Sequence, residues 1–137
     1  MKENKKYRMP SSIKSLKIKP SQSDKKNIQD YFHPLVENFK KQHILKNPNK
    51  EFNYIIDIYS RWYQNYFYLC EKFKSEDPNR LNDEFEVKFV RLKYTGKNQL
   101  EFSYFRHTGQ WHLVAEGLTL DECKVMILSN PVFQPFG

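Results

Sequence analysis

The side chains best suited to chemistry lie between Arg106 and His112. This stretch places one guanidinium and two imidazoles within seven residues. A guanidinium offers a fork of donors to phosphate or carboxylate, and two imidazoles can act as acid and base in the cleavage of RNA. Arg106, His107 and His112 are therefore the catalytic candidates if the chain is an enzyme. Together with Trp111 they form a candidate binding site.

The same residues have a purely structural interpretation, which we favour. In it Arg106 forms an ion pair with a nearby glutamate, Trp111 fills the core, and His107 hydrogen-bonds the backbone of its own turn. Neighbouring residues of a strand point to opposite faces of a sheet. One face can therefore pair Arg106 with Trp111 or with His112, and the register of the hairpin decides which.

No established catalytic motif accompanies these residues. The sequence contains no phosphate-binding loop, no dinucleotide fingerprint and no nucleophile elbow around a serine. Cys70 and Cys123 lack the spacing of a zinc ribbon or a redox pair, and the four histidines are scattered. We therefore expect no metal and no cofactor, and favour a non-enzymatic function.

The basic excess of the chain is confined to its N-terminal part. The net charge is +7, and residues 1–26 hold nine basic and two acidic side chains, which account for all of it. Residues 27–137 are formally neutral. The high isoelectric point alone therefore does not imply a polyanion-binding surface on the folded body.

Residues 1–20 are rich in lysine and serine and offer few apolar side chains to bury. Such a segment cannot offset its ordering entropy, so we predict a disordered arm, followed by a single domain over residues 21–137. The arm is either a solubilising tail or an electrostatic tether for a protein partner or nucleic acid. The basic side chains assigned to the tether are Lys5, Lys6, Arg8, Lys14, Lys17 and Lys19.

The scaffold predicted for these residues begins with a helix over residues 21–45. Apolar side chains recur there at steps of three and four, the spacing of one helical face. They are Ile28, Tyr31, Phe32, Leu35, Val36 and Phe39. Ser21 and Asp24 stand at the spacing of a capping box, whereas Pro34 should kink the helix or start a second one.

Residues 51–74 are rich in β-branched and aromatic side chains, which favours a hairpin over a single helix. The polar pair Gln64-Asn65 marks its turn, and a single helix is the alternative. In the hairpin, one face of the first strand would carry Phe52, Tyr54, Ile56 and Ile58.

Residues 85–115 predict three further strands, because apolar and polar side chains alternate along them. Near Val90-Arg91 the apolar positions change parity, which predicts either a β-bulge or a strand covered on both faces. Thr119 and Glu122 then stand at capping-box spacing, at the start of a C-terminal helix. The predicted fold is α+β, with an N-terminal helix, an antiparallel meander of four to five strands, and a C-terminal helix packed on one sheet face.

Two motifs in these stretches resemble motifs of other proteins. The motifs Arg-His-Thr-Gly-Gln-Trp at residues 106–111 and Leu-Thr-Leu-Asp-Glu-Cys at 118–123 resemble those of a group of small uncharacterised bacterial proteins. The resemblance extends over roughly residues 52–135 and includes the segments 89–96 and 131–135. It implies a β-meander followed by a C-terminal helix and carries no activity.

Nothing in the sequence indicates a membrane protein. No run of eighteen apolar residues is present, and the first thirty residues lack the apolar centre of a signal peptide. Two cysteines do not form a disulfide framework, so we expect reduced thiols and a cytoplasmic location. The leading function is a binding module of unknown partner and oligomeric state. The alternative is a small ribonuclease-like enzyme, or a nucleic-acid-binding protein, that uses the turn at residues 106–112.

Overall fold

The computed structural model describes residues 18–79, 83–106 and 108–136. The elements, in chain order, are α1 (Gln22–His43), β1 (Tyr54–Tyr63), β2 (Tyr66–Lys74), β3 (Glu84–Gly96), β4 (Gln99–Phe105), β5 (Trp111–Leu118), α2 (Leu120–Ser129) and a 3₁₀ turn (Pro131–Phe133). The strands form one antiparallel sheet in the order of the sequence. The predicted α+β fold is therefore confirmed. In the described part of the chain, no helix is both long enough and apolar enough to cross a membrane.

Helix α1 runs without interruption through Pro34, so the prediction of a second helix starting there is wrong. Proline removes the hydrogen bond to the carbonyl four residues earlier, which here belongs to Asp30. Both residues are exposed, so water can satisfy that carbonyl. The predicted capping box is present, because the Ser21 hydroxyl accepts from the Asp24 amide and the Asp24 carboxylate accepts from the Ser21 amide.

The hairpin predicted over residues 51–74 is also present, with its turn at Gln64-Asn65. Gln64 takes the positive φ of this turn, at 54°. The prediction that alternate residues from Phe52 to Ile58 share one face of the first strand is wrong in part, because a register shift lies between Ile55 and Asp57. Ile55 and Ile58 are buried as a result, whereas Phe52 is 68% exposed.

Helices α1 and α2 pack on the same face of the sheet. Phe32 of α1 stacks on Phe67 of β2 at 5.5 Å between ring centroids. At the other end of the core, the Phe133 ring meets Phe102 of β4 edge-on at 4.9 Å. Within the described residues no helix lies on the opposite side of the sheet, which we call the open face.

A bulge in β3 determines which side chains reach the open face. The parity change near Val90 predicts this bulge, and the structure places the extra residue at Phe89, since Leu69 pairs with Val90 and Cys70 with Lys88. Phe89 and Val90 are both buried. Residues three apart on a regular strand point to opposite faces, but the extra residue at Phe89 reverses this. Lys88 and Arg91 therefore both point to the open face.

The capping box of α2 is the best-defined local signal in the chain. The Thr119 hydroxyl accepts from the Glu122 amide at 3.2 Å, and the Glu122 carboxylate accepts from the Thr119 amide at 2.9 Å. Replacement of Thr119 with Ala should lower the free energy of unfolding by about 1 kcal/mol, because an amide at the helix start loses its acceptor. Urea unfolding measures this loss. Thr119→Ser, which keeps the hydroxyl, is the matched control, and an equal loss in both variants would contradict the capping role.

Candidate functional site

The hairpin between β4 and β5 separates the predicted site residues. The Trp111 ring lies on the open face, whereas the His112 ring contacts Tyr104 on the helix side at 5.7 Å. Trp111 therefore does not fill the core. The Arg106 amide donates to the Gln110 carbonyl and closes the turn. Among the described residues Arg106 forms no ion pair, and His107 lies outside them.

Most of the predicted arm also lies outside the described residues, which is the case for Lys5, Lys6, Arg8, Lys14 and Lys17. Its last residues are described. Ile18 packs against the core, and its carbonyl accepts a hydrogen bond from the Asn65 side chain at 3.2 Å. This bond brings Lys19 to the turn between β1 and β2.

A group of residues on the open face was missed by sequence reasoning. The Arg91 guanidinium lies 4.9 Å from the centroid of the Tyr66 ring and 4.7 Å from that of Trp111. Two more rings extend this group, with Tyr68 at 5.8 Å and Phe105 at 5.3 Å from Trp111. We call these five residues the aromatic cluster. It joins strands β2, β3, β4 and β5.

Strand register explains how the aromatic cluster forms. Arg91 stands opposite Tyr68 on one side and Ser103 on the other, and Trp111 stands opposite Phe105. Ser103 is small and buried, which leaves space above β4 for the Trp111 ring to reach Arg91. Each ring contributes about 0.5–1 kcal/mol of cation–π attraction at a partly exposed site. The guanidinium is therefore held by rings and not by a carboxylate.

Two other basic residues of the open face, Arg61 and Lys88, share one carboxylate. Arg61 and Lys88 both contact the Glu86 carboxylate, at 3.1 Å and 3.0 Å, and Tyr59 donates a hydrogen bond to it. Burial raises the pKa of Glu86, but the hydrogen bonds and the two cations outweigh it and hold the pKa below its usual range. Arg91, by contrast, has no ion pair with any described residue.

The described residues offer little for nucleophilic or metal chemistry. Cys70 and Cys123 are free and buried, and burial raises the pKa of each thiol to about 12. Such thiols stay protonated and react slowly. No group of three metal-ligating side chains occurs in the part of the chain that the structure describes. The distinctive groups of the open face are its partly exposed rings and the Arg91 guanidinium, which has no ion pair with a described residue.

The fold defines a two-layer α+β protein, with helices on one face of an antiparallel sheet and an aromatic, cationic surface on the other. Residues 20–134 match a family described as a domain of unknown function, DUF3024, and the chain belongs to that family. The match includes α1, which the resemblance at residues 52–135 leaves out. No curated protein and no solved structure shows significant similarity to the chain.

Proposed function

We propose that the protein is a non-enzymatic binding module whose open face holds a single-stranded nucleic acid. The observation that carries this proposal is the Arg91 guanidinium between the rings of Tyr66 and Trp111, without a carboxylate partner among the described residues. Bases stack on aromatic rings whatever their sequence, and a guanidinium can stack on a base or contact a phosphate.

The arrangement suits a single strand better than a duplex. In a duplex the faces of the bases are stacked on one another, whereas unpaired bases can lie flat on side-chain rings. RNA-binding sheets of other proteins present aromatic residues to two or three such bases. Tyr66, Tyr68, Phe105 and Trp111 are all partly exposed on the open face and are available for this contact.

The charges of the folded body support a polyanionic ligand although their sum is near zero. Arg61 and Lys88 share the single carboxylate of Glu86. Arg91 and Lys93 have no ion pair with a described residue, and the one carboxylate opposite them in the β3–β4 register is Glu101, across from Lys93. Positive charge is therefore unbalanced around the aromatic cluster. The basic arm would add to it as an electrostatic tether, as its lysines suggest.

The ribonuclease-like alternative receives no comparable support. An enzyme of this kind needs its acid, base and anion-binding groups to converge on one scissile bond. Trp111 and His112 point to opposite faces of the sheet, and no described contact joins Arg106 to His112.

Trp111→Ala should lower the affinity for a short pyrimidine strand by about 5- to 150-fold, because one base loses its stacking partner, worth about 1–3 kcal/mol. Fluorescence anisotropy of a labelled twelve-nucleotide RNA with the full-length protein, at fixed salt, measures the change. Arg91→Lys keeps the charge but removes the planar group, so it should also weaken binding. Phe52→Ala is the matched control, since Phe52 is an exposed ring at the opposite end of the β1–β2 hairpin.

Two outcomes would refute the proposal. One is unchanged affinity of folded Trp111→Ala and Arg91→Lys. The other is equal binding of the strand and of polyglutamate of the same charge, which would show that the face recognises negative charge alone, as on an acidic protein. Melting curves of each variant establish that it is folded.

A further inference from the structure

A cleft of about 510 Å³ lies at the end of the sheet, where the β1–β2 turn meets the start of α1. Its lining includes three lysines and no carboxylate. The polar side chains that line it are Lys19, Lys25, Gln64, Asn65, Tyr66 and Lys93. We call it the lysine cleft. Tyr66 belongs both to this cleft and to the aromatic cluster.

Each lysine comes from a different part of the fold. Lys25 lies on the first turn of α1, with its ammonium group 5.7 Å from the centroid of the Trp62 ring. The Trp62 indole also donates a hydrogen bond to the Lys25 carbonyl, which fixes this turn against β1. Lys93 stands directly opposite Tyr66 in the β2–β3 register. Lys19 is brought in by the bond between Asn65 and Ile18.

The three ammonium groups form no ion pair in the described part of the chain, whereas some other surface lysines do. Lys26 pairs with Asp30 at 2.7 Å, and Lys40 with Glu37 at 3.3 Å. Cations gathered in one concave site, without an anion, raise the local positive potential and favour an anionic ligand. The Ser21 and Asp24 amides at the start of α1 already donate to the capping side chains. The three ammonium groups are the charged donors of the cleft.

We propose that the lysine cleft binds a terminal phosphate of the strand held on the open face. This inference rests on the proposed function and identifies one end of its ligand. The cleft lies at the corner of the sheet, beyond Tyr66, where a strand stacked along the aromatic cluster reaches its end. A terminal phosphate monoester carries about −1.5 to −2 charges near pH 7, against −1 for an internal diester, and suits three cations better.

The experiment compares one twelve-nucleotide pyrimidine strand in three forms, with a 5′-phosphate, a 3′-phosphate or hydroxyls at both ends. Full-length protein should bind one phosphorylated form about tenfold more tightly than the strand with hydroxyl ends, because the monoester gains charged hydrogen bonds. The double variant Lys25→Gln/Lys93→Gln should bind all three forms equally. Lys46→Gln is the control, since Lys46 lies three residues past the far end of α1, a helix about 33 Å long whose first turn carries Lys25.

The outcomes separate this inference from the proposed function. If neither phosphate increases affinity while Trp111→Ala still weakens binding, the lysine cleft does not read a terminal phosphate, but the open face still binds the strand. A phosphate effect that persists in the double variant would place the recognition elsewhere and would also overturn the inference. If the three strand forms bind equally and Trp111→Ala and Arg91→Lys also leave the affinity unchanged, both this inference and the proposed function are wrong.

Discussion

Deletion of residues 1–17 is expected to make single-strand binding far less sensitive to salt. This segment holds six basic side chains and one acidic side chain, a net charge of +5. If each net charge engages one phosphate, the arm accounts for about 3.5 units of the slope of log affinity against log salt, at 0.7 per phosphate. Between 50 and 200 mM salt, the full-length protein should then lose about 100-fold more affinity than the deletion variant.

The end point of this deletion matters. Removal as far as residue 26 would take away Ser21 and Asp24, which cap α1, and Lys25 of the lysine cleft. Ending at residue 17 keeps Ile18, which packs on the core, so the melting temperature should stay unchanged. Titrations at four salt concentrations give both slopes. Equal slopes for the two proteins would show that the arm does not act as an electrostatic tether.

Periodicity and turn chemistry were sufficient to predict the elements of the fold. Three kinds of signal depend on residues close in sequence. They are the apolar face of α1, the capping boxes at Ser21 and Thr119, and the turn at Gln64-Asn65. The sequence did not correctly predict which face of the sheet each side chain of β1 points to. One register shift in β1 moved the buried positions from Ile56 to Ile55, and no local pattern signals such a shift.

The aromatic cluster could not be predicted for the same reason. The face of Arg91 depends on the bulge at Phe89, and its partners Tyr66 and Trp111 lie 25 and 20 residues away along the sequence. Only the order of the strands brings them together. The turn at residues 106–112 was conspicuous because its polar residues are adjacent in sequence, yet adjacency on a strand places side chains on opposite faces.

Glu71 is a residue that the sequence could have revealed. It occupies an inward position of β2, in the alternating series Phe67, Leu69, Glu71 and Phe73, and it is fully buried. One carboxylate oxygen accepts from the Phe136 amide at 3.0 Å, and the other has no hydrogen-bond partner among the described residues. Burial raises its pKa to about 7, and the Phe136 hydrogen bond opposes this only in part.

The stability of the protein should therefore fall as pH rises from about 4.5 to about 7. Below this window the Glu71 carboxyl is protonated in both states. Within it the unfolded chain releases the proton while the folded protein retains it, so the free energy of unfolding decreases. A shift in pKa from 4.5 to about 7 corresponds to a loss of about 3 kcal/mol, complete above pH 7.

Glu71→Gln stays neutral throughout and should abolish this loss. Urea unfolding of both proteins at pH 4.5, 5.5, 6.5 and 7.5 tests it, with the exposed Glu51→Gln as control. The difference between the wild type and each variant is the informative quantity, because the carboxylates of Asp24, Glu76 and Glu86, whose pKa values are lowered, contribute equally to both. A wild type and a Glu71→Gln variant that lose stability in parallel would show that the Glu71 carboxyl ionises in the folded protein as readily as in the unfolded chain.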